Sequence, residues 1–199
     1  ALAARGLAVS ADTMKAGVMA AALEAGAVIL NDVAGFRGEG AADLAARSGA
    51  GLVVMHMRGD PRTMQDAPAG GDVVAEVEAF LRGREAILIA LGADPASLCR
   101  DPGFGFGKTD AQKFALLAAT GRLASDGRPV MAAVSRKSSL GRAAGVADPR
   151  GRDPASVAAS LLAVERGARV VRVHDVAGMR QALSVRRALL AARSSPNRP

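Results

Sequence analysis

The chain has very little aromatic character. Its 199 residues include no tryptophan and no tyrosine, and aromatic residues make up only 3% of the sequence. Half of the residues are hydrophobic, so the core must be aliphatic. The single cysteine, Cys99, excludes an intramolecular disulfide and fits a reducing compartment. The length is sufficient for one domain that buries a sizeable core.

Long apolar runs are also missing. No run reaches the roughly 18 residues that a membrane-spanning helix requires, and no signal-peptide pattern is visible, so we expect a cytoplasmic protein. The net charge of +7 permits anionic partners, although a solvated arginine-rich surface is the simpler explanation. Basic runs interleaved with aromatic residues are absent, which argues against nucleic acid as the main partner. Because the first residue is alanine, we expect a longer parent chain.

The stretch DPGFGFGKT, residues 101–109, resembles a nucleotide-binding loop but does not match one. A P-loop requires a glycine five positions before the Gly107-Lys108 pair, and that position is Pro102, which has no N–H for a phosphate. Gly103, Gly105 and Gly107 also have the wrong spacing for a dinucleotide fingerprint. The segment therefore needs another explanation, in which Lys108 is expected near the start of the following helix.

Short apolar runs alternate with helical patterns along the whole chain, which predicts βα units and a parallel sheet covered on both faces. The predicted strands are Leu7–Ser10, Ala27–Leu30, Gly51–Met57, Ser97–Arg100, Pro129–Val134 and Ala168–Val173. The predicted helices are Met14–Ala25, Ala41–Ser48, Asp72–Leu91, Asp110–Leu123, Pro154–Arg166 and Gly178–Ala192, with a polar loop over 58–71.

Every predicted strand ends in polar residues that are costly to bury. These are Asp12, Asn31, Asp32, His56, Asp101, the Ser135–Lys137 run, Arg172, His174 and Asp175. An open doubly wound sheet places ligands only near its switch point, whereas a (β/α)₈ (TIM) barrel collects functional groups from all strand ends. Because all six predicted strands end in polar residues, the pattern favours the α/β barrel. A barrel has eight strands and about 250 residues, so we expect the first two βα units to be absent from this chain.

The residue types at these ends indicate a heterocycle and an anion. Asp12, Asn31 and Asp101 suit a flat ring with an amidine-like edge, because a carboxylate can accept two parallel N–H bonds; each could instead cap a helix. Lys137 could bond a ring carbonyl or remain at the surface. Arg172 and His174 lie on the same face of an extended strand and suit an anion such as diphosphate, with a structural histidine as the alternative.

Other catalytic classes receive no support. His56, between two methionines, is expected to be a satisfied core histidine. The two histidines do not fit a metal-binding spacing such as H-E-x-x-H, so a zinc held by the protein is not expected. Ser135 lacks a nearby histidine and the G-x-S-x-G elbow, which argues against a serine hydrolase.

The motifs resemble the dihydropteroate synthase family. The matching segments are VSADTM (9–14), VILNDVAG (28–35), VVMHMRGDPRTMQ (53–65), DPGFGFGKT (101–109), VSRKSSLG (134–141) and RVVRVHDV (169–176). They occur in the family's order across nearly the whole chain, which we interpret as a single pterin-binding barrel domain over 1–199.

The resemblance implies a transferase of folate biosynthesis. It would join 6-hydroxymethyl-7,8-dihydropterin diphosphate to 4-aminobenzoate, giving 7,8-dihydropteroate and diphosphate. By motif position, the implied pterin set is Asp12, Asn31, Met55, Asp101 and Lys137. Phe106, Lys137 and Ser138 would flank the aminobenzoate, in the slot that sulfonamides occupy, and Arg172 and His174 would hold the diphosphate. Lys137, Arg172 and His174 would be the catalytic groups. The family further implies a cytoplasmic homodimer formed through helices near the C-terminus.

The chain also departs from the family pattern. The family's first two strands, whose loops carry an asparagine that ligates Mg²⁺ and an Arg-Pro pair, have no counterpart, so no metal ligand is expected in these 199 residues although Mg²⁺ is the implied cofactor. Ala133 replaces a common glycine. We therefore expect this chain alone to be inactive or poorly folded. The alternatives are a pterin-binding paralogue without catalysis and, less favoured, a methyltetrahydrofolate-dependent methyltransferase domain.

Overall fold

A computed structural model describes residues 2–59 and 71–194 of the chain. The strands are β1 (Ser10–Asp12), β2 (Ile29–Asp32), β3 (Gly51–Met55), β4 (Leu98–Asp101), β5 (Met131–Ala132) and β6 (Val170–Val171). The α-helices are α1 (Ala16–Glu24), α2 (Ala41–Arg47), α3 (Val73–Ala90), α4 (Asp110–Ala118), α5 (Thr120–Leu123), α6 (Ser138–Ala144), α7 (Asp153–Glu165) and α8 (Val176–Ser194). Most of the predicted polar loop at 58–71 lies outside the described residues.

The strands pair in chain order and all pairs are parallel. The first four form one sheet, β1-β2-β3-β4, and β5 pairs with β6. A parallel bridge between Arg100 and Val130 joins the two sheets. The predicted parallel α/β fold is therefore confirmed, and each of the six predicted strands lies in or next to an observed one.

Side-chain caps fix where two of the long helices begin. The Asp72 carboxylate accepts hydrogen bonds from the N–H groups of Val74 and Ala75 at the start of α3. At the start of α4, Thr109 and Gln112 form a reciprocal capping box. These caps place the first turn of α4 directly after the 101–108 segment.

The structure differs from the helix predictions in one division and in several short helices that were not predicted. The helix predicted over Asp110–Leu123 is divided into α4 and α5, because the Thr120 hydroxyl donates to the Leu117 carbonyl at 2.8 Å and Gly121 follows with low helix propensity. Helix α6 was not predicted at all, since its seven residues include Gly141 and are too few to show a periodic pattern. Three short 3₁₀ turns, at Ala3–Arg5, Pro95–Ser97 and Pro149–Arg152, were also missed.

The main core lies between the first sheet and its helices. Alternate strand residues Leu30, Leu52, Val54 and Leu98 pack outward in one buried cluster with helix residues such as Leu81 of α3. Since successive strand residues point to opposite faces, the residues between them point inward. None of the helices in the described ranges is long and apolar enough to cross a membrane.

A buried ion-pair network anchors β4 from the outer side. Arg100, only 2% exposed, donates to both carboxylate oxygens of Glu85 in α3 at 2.9 and 2.7 Å. Its guanidinium also donates to the Asp126 carboxylate and to the Leu123 carbonyl. Because the next residue is Asp101, this network fixes the position of the strand that carries a predicted site residue.

Candidate functional site

The register of the strands brings four predicted pterin residues onto the inner face. Asp12 pairs with Asn31, and two positions further toward the carboxyl ends Met55 pairs with Asp101. Asn31 also pairs with Val53 on the next strand, and this connects the Asp12–Asn31 pair to the Met55–Asp101 pair. All four lie at positions alternate to the outward core residues, so they form one continuous surface.

Asn31 and Asp101 are buried polar groups on this surface. Asn31 is 5% exposed, and its Oδ1 has no hydrogen-bond partner within the residues that the structure describes. Asp101 is 4% exposed and accepts one hydrogen bond from the Gly103 N–H at 2.8 Å. Burial raises the pKa of Asp101, against the lowering effects of the Gly103 N–H and the Lys108 charge. A ligand that donates N–H groups would satisfy both side chains.

The loop after β4 is held in place by Lys108. Lys108 is 3% exposed, and its Nζ donates to the carbonyls of Gly103 at 2.9 Å, Phe106 at 3.1 Å and His56 at 3.4 Å. Lys108 lies next to the start of the following helix, as expected, because it directly precedes Thr109, the cap of α4. Its side chain turns back under the loop. Burial lowers the pKa of Lys108 to about 7.

Gly103 fits this loop only because it lacks a side chain. Its φ of +66° lies in the left-handed region, and a methyl group there would overlap the carbonyl oxygen of His56. The glycine-phenylalanine alternation therefore permits close approach between the loop and the end of β3.

Lys137 and Phe106 face each other across the site. The Lys137 Nζ lies 5.0 Å from the centroid of the Phe106 ring, which is a cation–π distance. Burial lowers the pKa of Lys137, while the nearby Asp101 carboxylate opposes that effect. Ser138, the first residue of α6, is exposed beside them. The predicted aminobenzoate residues are therefore neighbours.

Contacts outside the site set the path of the Ser135–Lys137 run. Arg136 has a φ of +58°, unusual for a residue other than glycine, and its guanidinium forms two 2.7 Å bonds to the Asp153 carboxylate. The Arg136 N–H donates to the Ser156 hydroxyl at 2.8 Å. These contacts with α7 turn Ser135 and Lys137 toward the site, and no sequence signal had indicated them.

The predicted anion residues also lie at this end of the sheet. Arg172 Nη2 lies 3.0 Å from Oδ2 of Asp12, and Arg172 and His174 line a cavity of about 380 Å³ with Ser135 and Lys137. The statement that Ser135 has no histidine nearby was wrong in three dimensions. Its Oγ lies 2.8 Å from Nδ1 of His174, because adjacent strands bring together residues that are 39 positions apart.

Asp12 and Asn31 also line a second cavity on the inner side of the strands. This cavity has a volume of about 250 Å³ and is bordered by residues of β1, β2, β5 and β6 together with Arg172. The alternative that Asp12 caps a helix is not observed, since α1 begins at Ala16 after Lys15.

His56 is buried, as predicted, but it is only partly satisfied. Its ring packs edge-on against Phe80 at 4.9 Å, and its Nε2 lies 3.4 Å from a Glu76 carboxylate oxygen. The Nδ1 atom has no hydrogen-bond partner within residues 2–59 and 71–194. Burial, with a further contribution from Lys108, lowers the pKa of His56 to about 3. The ring is therefore neutral and has a structural role beneath the loop.

Within the described ranges, no group of three or more His, Cys, Asp or Glu side chains lies close enough to hold a metal ion. The polar groups of the site instead combine buried hydrogen-bond acceptors at one end with the cations Lys137 and Arg172 at the other. This arrangement can bind a flat nitrogen heterocycle next to an anionic group.

Comparison with known proteins agrees with this arrangement. The sequence profile described as pterin binding enzyme matches residues 1–174, so the chain belongs to the pterin-binding enzyme family. Within that family it groups with the dihydropteroate synthases. A dihydropteroate synthase of Neisseria meningitidis serogroup C is 44% identical over 187 residues, which cover 92% of this chain and 66% of that protein.

Solved structures of the same group have the same fold. The Stenotrophomonas maltophilia dihydropteroate synthase with active-site-bound imidazole is 47% identical, with a TM-score of 0.90, covering 96% of this chain and 71% of that one. The Xanthomonas albilineans dihydropteroate synthase in complex with 7,8-dihydropteroate is 45% identical, with a TM-score of 0.87, covering 96% and 68%. The chain spans about two thirds of the length of these proteins.

Proposed function

We propose that this chain carries the substrate site of a dihydropteroate synthase. The reaction would join 6-hydroxymethyl-7,8-dihydropterin diphosphate to 4-aminobenzoate and release diphosphate. The observation that carries the proposal is the unpartnered Asn31 Oδ1 on the same buried face as the Asp101 carboxylate. A ligand with a hydrogen-bonding edge would pair with both groups, and the Xanthomonas relative is in complex with 7,8-dihydropteroate.

The pterin would lie on the inner face of β2, β3 and β4. The two oxygens of Asp101 would accept from the amino-pyrimidine edge, with Asn31 accepting a further N–H and Asp12 at the far end. Lys137 would donate to the ring carbonyl. Met55, 2% exposed and paired with Asp101, would pack against the ring face. Ligand N–H donors would stabilise the ionised form of Asp101 and lower its raised pKa again.

The aminobenzoate would be flanked by Phe106 and Lys137, near Ser138. The aromatic ring of Phe106 offers a flat apolar wall, and the Lys137 ammonium lies over that ring. The arylamine would then lie next to the pterin methylene, since we assign Lys137 to both halves of the proposed site. Orienting the two reactants in this way removes much of the entropic cost of a bimolecular step.

The chemical step would break the carbon–oxygen bond of the pterin methylene. The electron pair leaves with the diphosphate, and Arg172 and His174 would stabilise its negative charge. The neutral arylamine nitrogen then forms the new carbon–nitrogen bond and loses one proton to solvent or diphosphate. No strong base is required, because the nucleophile reacts as the free amine.

Three further features belong to the same proposal. We propose that residues 1–199 form a single pterin-binding domain, that the fold of the whole protein is an eight-stranded (β/α)₈ barrel, and that the protein forms a homodimer. We also propose Mg²⁺ as the cofactor, although no described group of side chains fits a metal ion. The steps above therefore involve side chains only.

The decisive experiment is a calorimetric titration of the chain with 6-hydroxymethylpterin. Asp101→Asn should weaken binding about tenfold to 100-fold, because a charge-assisted pair of hydrogen bonds is lost. Asp43→Asn, an exposed aspartate in α2, is the matched control and should bind as the wild type does. Equal affinity of the Asp101→Asn and wild-type chains would refute the pterin site.

Catalysis is tested separately by diphosphate release with both substrates present. Release that depends on 4-aminobenzoate supports the synthase. Because we expect this chain alone to be inactive, release is also measured with the longer parent protein. Pterin binding without any release by that protein would instead support the paralogue that binds pterin without catalysis.

A further inference from the structure

Ser135 makes two hydrogen bonds to the same residue on the neighbouring strand. It lies beyond β5 and is 7% exposed. Its Oγ accepts the backbone N–H of His174 at 3.1 Å and lies 2.8 Å from Nδ1 of the same histidine. A buried hydroxyl that contacts both the backbone and the ring of one residue fixes that ring in position.

The contact follows from the register of the sheet. Met131 pairs with Val170 and Ala132 pairs with Val171, which are offsets of 39 residues. Ser135 and His174 have the same offset, so they face each other beyond the last paired row. The register of the two strands therefore keeps the Ser135 hydroxyl next to the His174 ring. The bonds of Arg136 to α7 hold the neighbouring residue in place.

The direction of these hydrogen bonds determines the tautomer of His174. The Ser135 oxygen already accepts the backbone N–H, and its own proton needs an acceptor because the side chain is buried. Nδ1 is the acceptor that the described structure offers, so the hydroxyl donates to it. The ring proton of the neutral imidazole must then be on Nε2, at the opposite edge of the ring.

We propose that Ser135 is a positioning residue that holds His174 in the Nε2–H form, so that this N–H serves as a donor to the departing diphosphate. His174, Lys137 and Arg172 line the same cavity of about 380 Å³, which is wide enough for that anion. The inference rests on the proposed function for the identity of the anion. The tautomer itself depends only on the protein.

Nitrogen-15 NMR of the imidazole rings tests the tautomer directly. The chain has only two histidines, and a His174→Gln variant identifies the signals of His174 by their loss. We expect the Nε2–H form to dominate in the wild type and in Ser135→Thr, which keeps the hydroxyl. Ser135→Ala should give a mixture of both tautomers.

Calorimetry with inorganic diphosphate tests the consequence. Ser135→Ala should lose about threefold to tenfold in affinity, the usual effect of one misplaced neutral hydrogen bond, while Ser135→Thr stays within about twofold of the wild type. Ser160→Ala removes another buried serine hydroxyl, in α7, and is the matched control that should change neither measurement.

The outcomes separate this inference from the proposed function. An unchanged tautomer in Ser135→Ala, or a loss of affinity no greater than that of Ser160→Ala, would overturn the positioning role. If Ser135→Ala does not fold, the wild type and Ser135→Thr still test the positioning role. A dominant Nδ1–H form in either of them would overturn it. If the tautomer changes in Ser135→Ala but the wild-type chain binds no diphosphate, the result would instead count against the proposed function alone.

Discussion

Arg172 and Asp12 form an ion pair across the gap between β6 and β1, with Nη2 and Oδ2 3.0 Å apart. The arginine that we assign to the diphosphate is thus already paired with a carboxylate that we assign to the pterin. The side chains are 61% and 36% exposed, so the pair is weak in free-energy terms. Substrate binding has to exchange this contact for contacts with the ligand.

The first prediction concerns this exchange. Asp12→Asn should raise the affinity for inorganic diphosphate by up to about fivefold, because Arg172 is released from its carboxylate. The same variant should bind 6-hydroxymethylpterin more weakly. Titrations at low and high salt provide the check, since the gain should shrink as salt screens the exposed charges. Reduced affinity for both ligands would contradict the competition between them.

The second prediction concerns Gly103. Gly103→Ala should lower the free energy of unfolding by about 3 kcal/mol, because the new methyl overlaps a backbone carbonyl in a left-handed conformation. Gly127→Ala is the matched control. It has a φ of +83° with no atom within 4 Å of the new methyl, so only backbone strain of about 1 kcal/mol remains. Equal urea midpoints for both variants would show that the close approach to His56 is not tight.

The third prediction concerns pH and Lys108. The pKa of Lys108 is about 7 in the folded chain, below its ordinary value of 10.5. Between these pH values the unfolded chain binds the extra proton, so this group makes the folded state more stable as pH rises from 7 to 10.5. Lys108→Met removes that contribution. The difference in unfolding free energy, wild type minus Lys108→Met, should therefore increase with pH in urea titrations at pH 6.5, 8 and 9.5.

A second lysine variant is the control for that experiment. Lys113→Met removes another largely buried lysine but leaves the three carbonyl contacts of Lys108 intact, so it should retain the pH trend of the wild type. A difference between wild type and Lys108→Met that is constant with pH would refute the lowered pKa.

The fourth prediction concerns the network behind β4. Arg100→Leu should destabilise the protein by about 3 kcal/mol, because Glu85 would remain buried without its main partner. The double variant Arg100→Leu/Glu85→Leu should recover part of that loss, since the buried Glu85 charge is removed as well. A double variant that is less stable than Arg100→Leu would contradict the explanation that an unpaired Glu85 causes the loss.

Much of the fold could be predicted from the sequence, because short apolar runs indicate strands directly. Six runs predicted six strands, but in three of them the pairing ends before the run does. At Pro129–Val134, only Met131 and Ala132 pair with β6, because the chain then turns at Arg136, whose positive φ has no signature in an arginine. Helix α6 was missed for a similar reason, since a seven-residue helix with an internal glycine has no measurable periodicity.

Single candidate residues at strand ends could be predicted from the sequence, but the contacts between side chains of the site could not. Asp12, Asn31 and Asp101 stand out because polar residues rarely end six consecutive apolar runs. The contacts of Ser135 with His174 depend on the register of two strands separated by a helix, and residue types do not encode that register. The inward turn of Lys108 likewise depends on which carbonyls are near, which follows only from the folded loop.

The contacts of Lys108 determine which residues of this loop can be substituted during evolution. Among the residues that the structure describes, the lysine bonds only to main-chain oxygens of the loop and of His56, which every amino acid supplies. The loop is therefore anchored independently of the side chains that it presents. Phe106, which we propose as an aminobenzoate contact, could therefore be replaced without releasing the loop, whereas Gly103 and Lys108 could not. On that assignment, the residues that would recognise the substrate are separate from those that hold the loop.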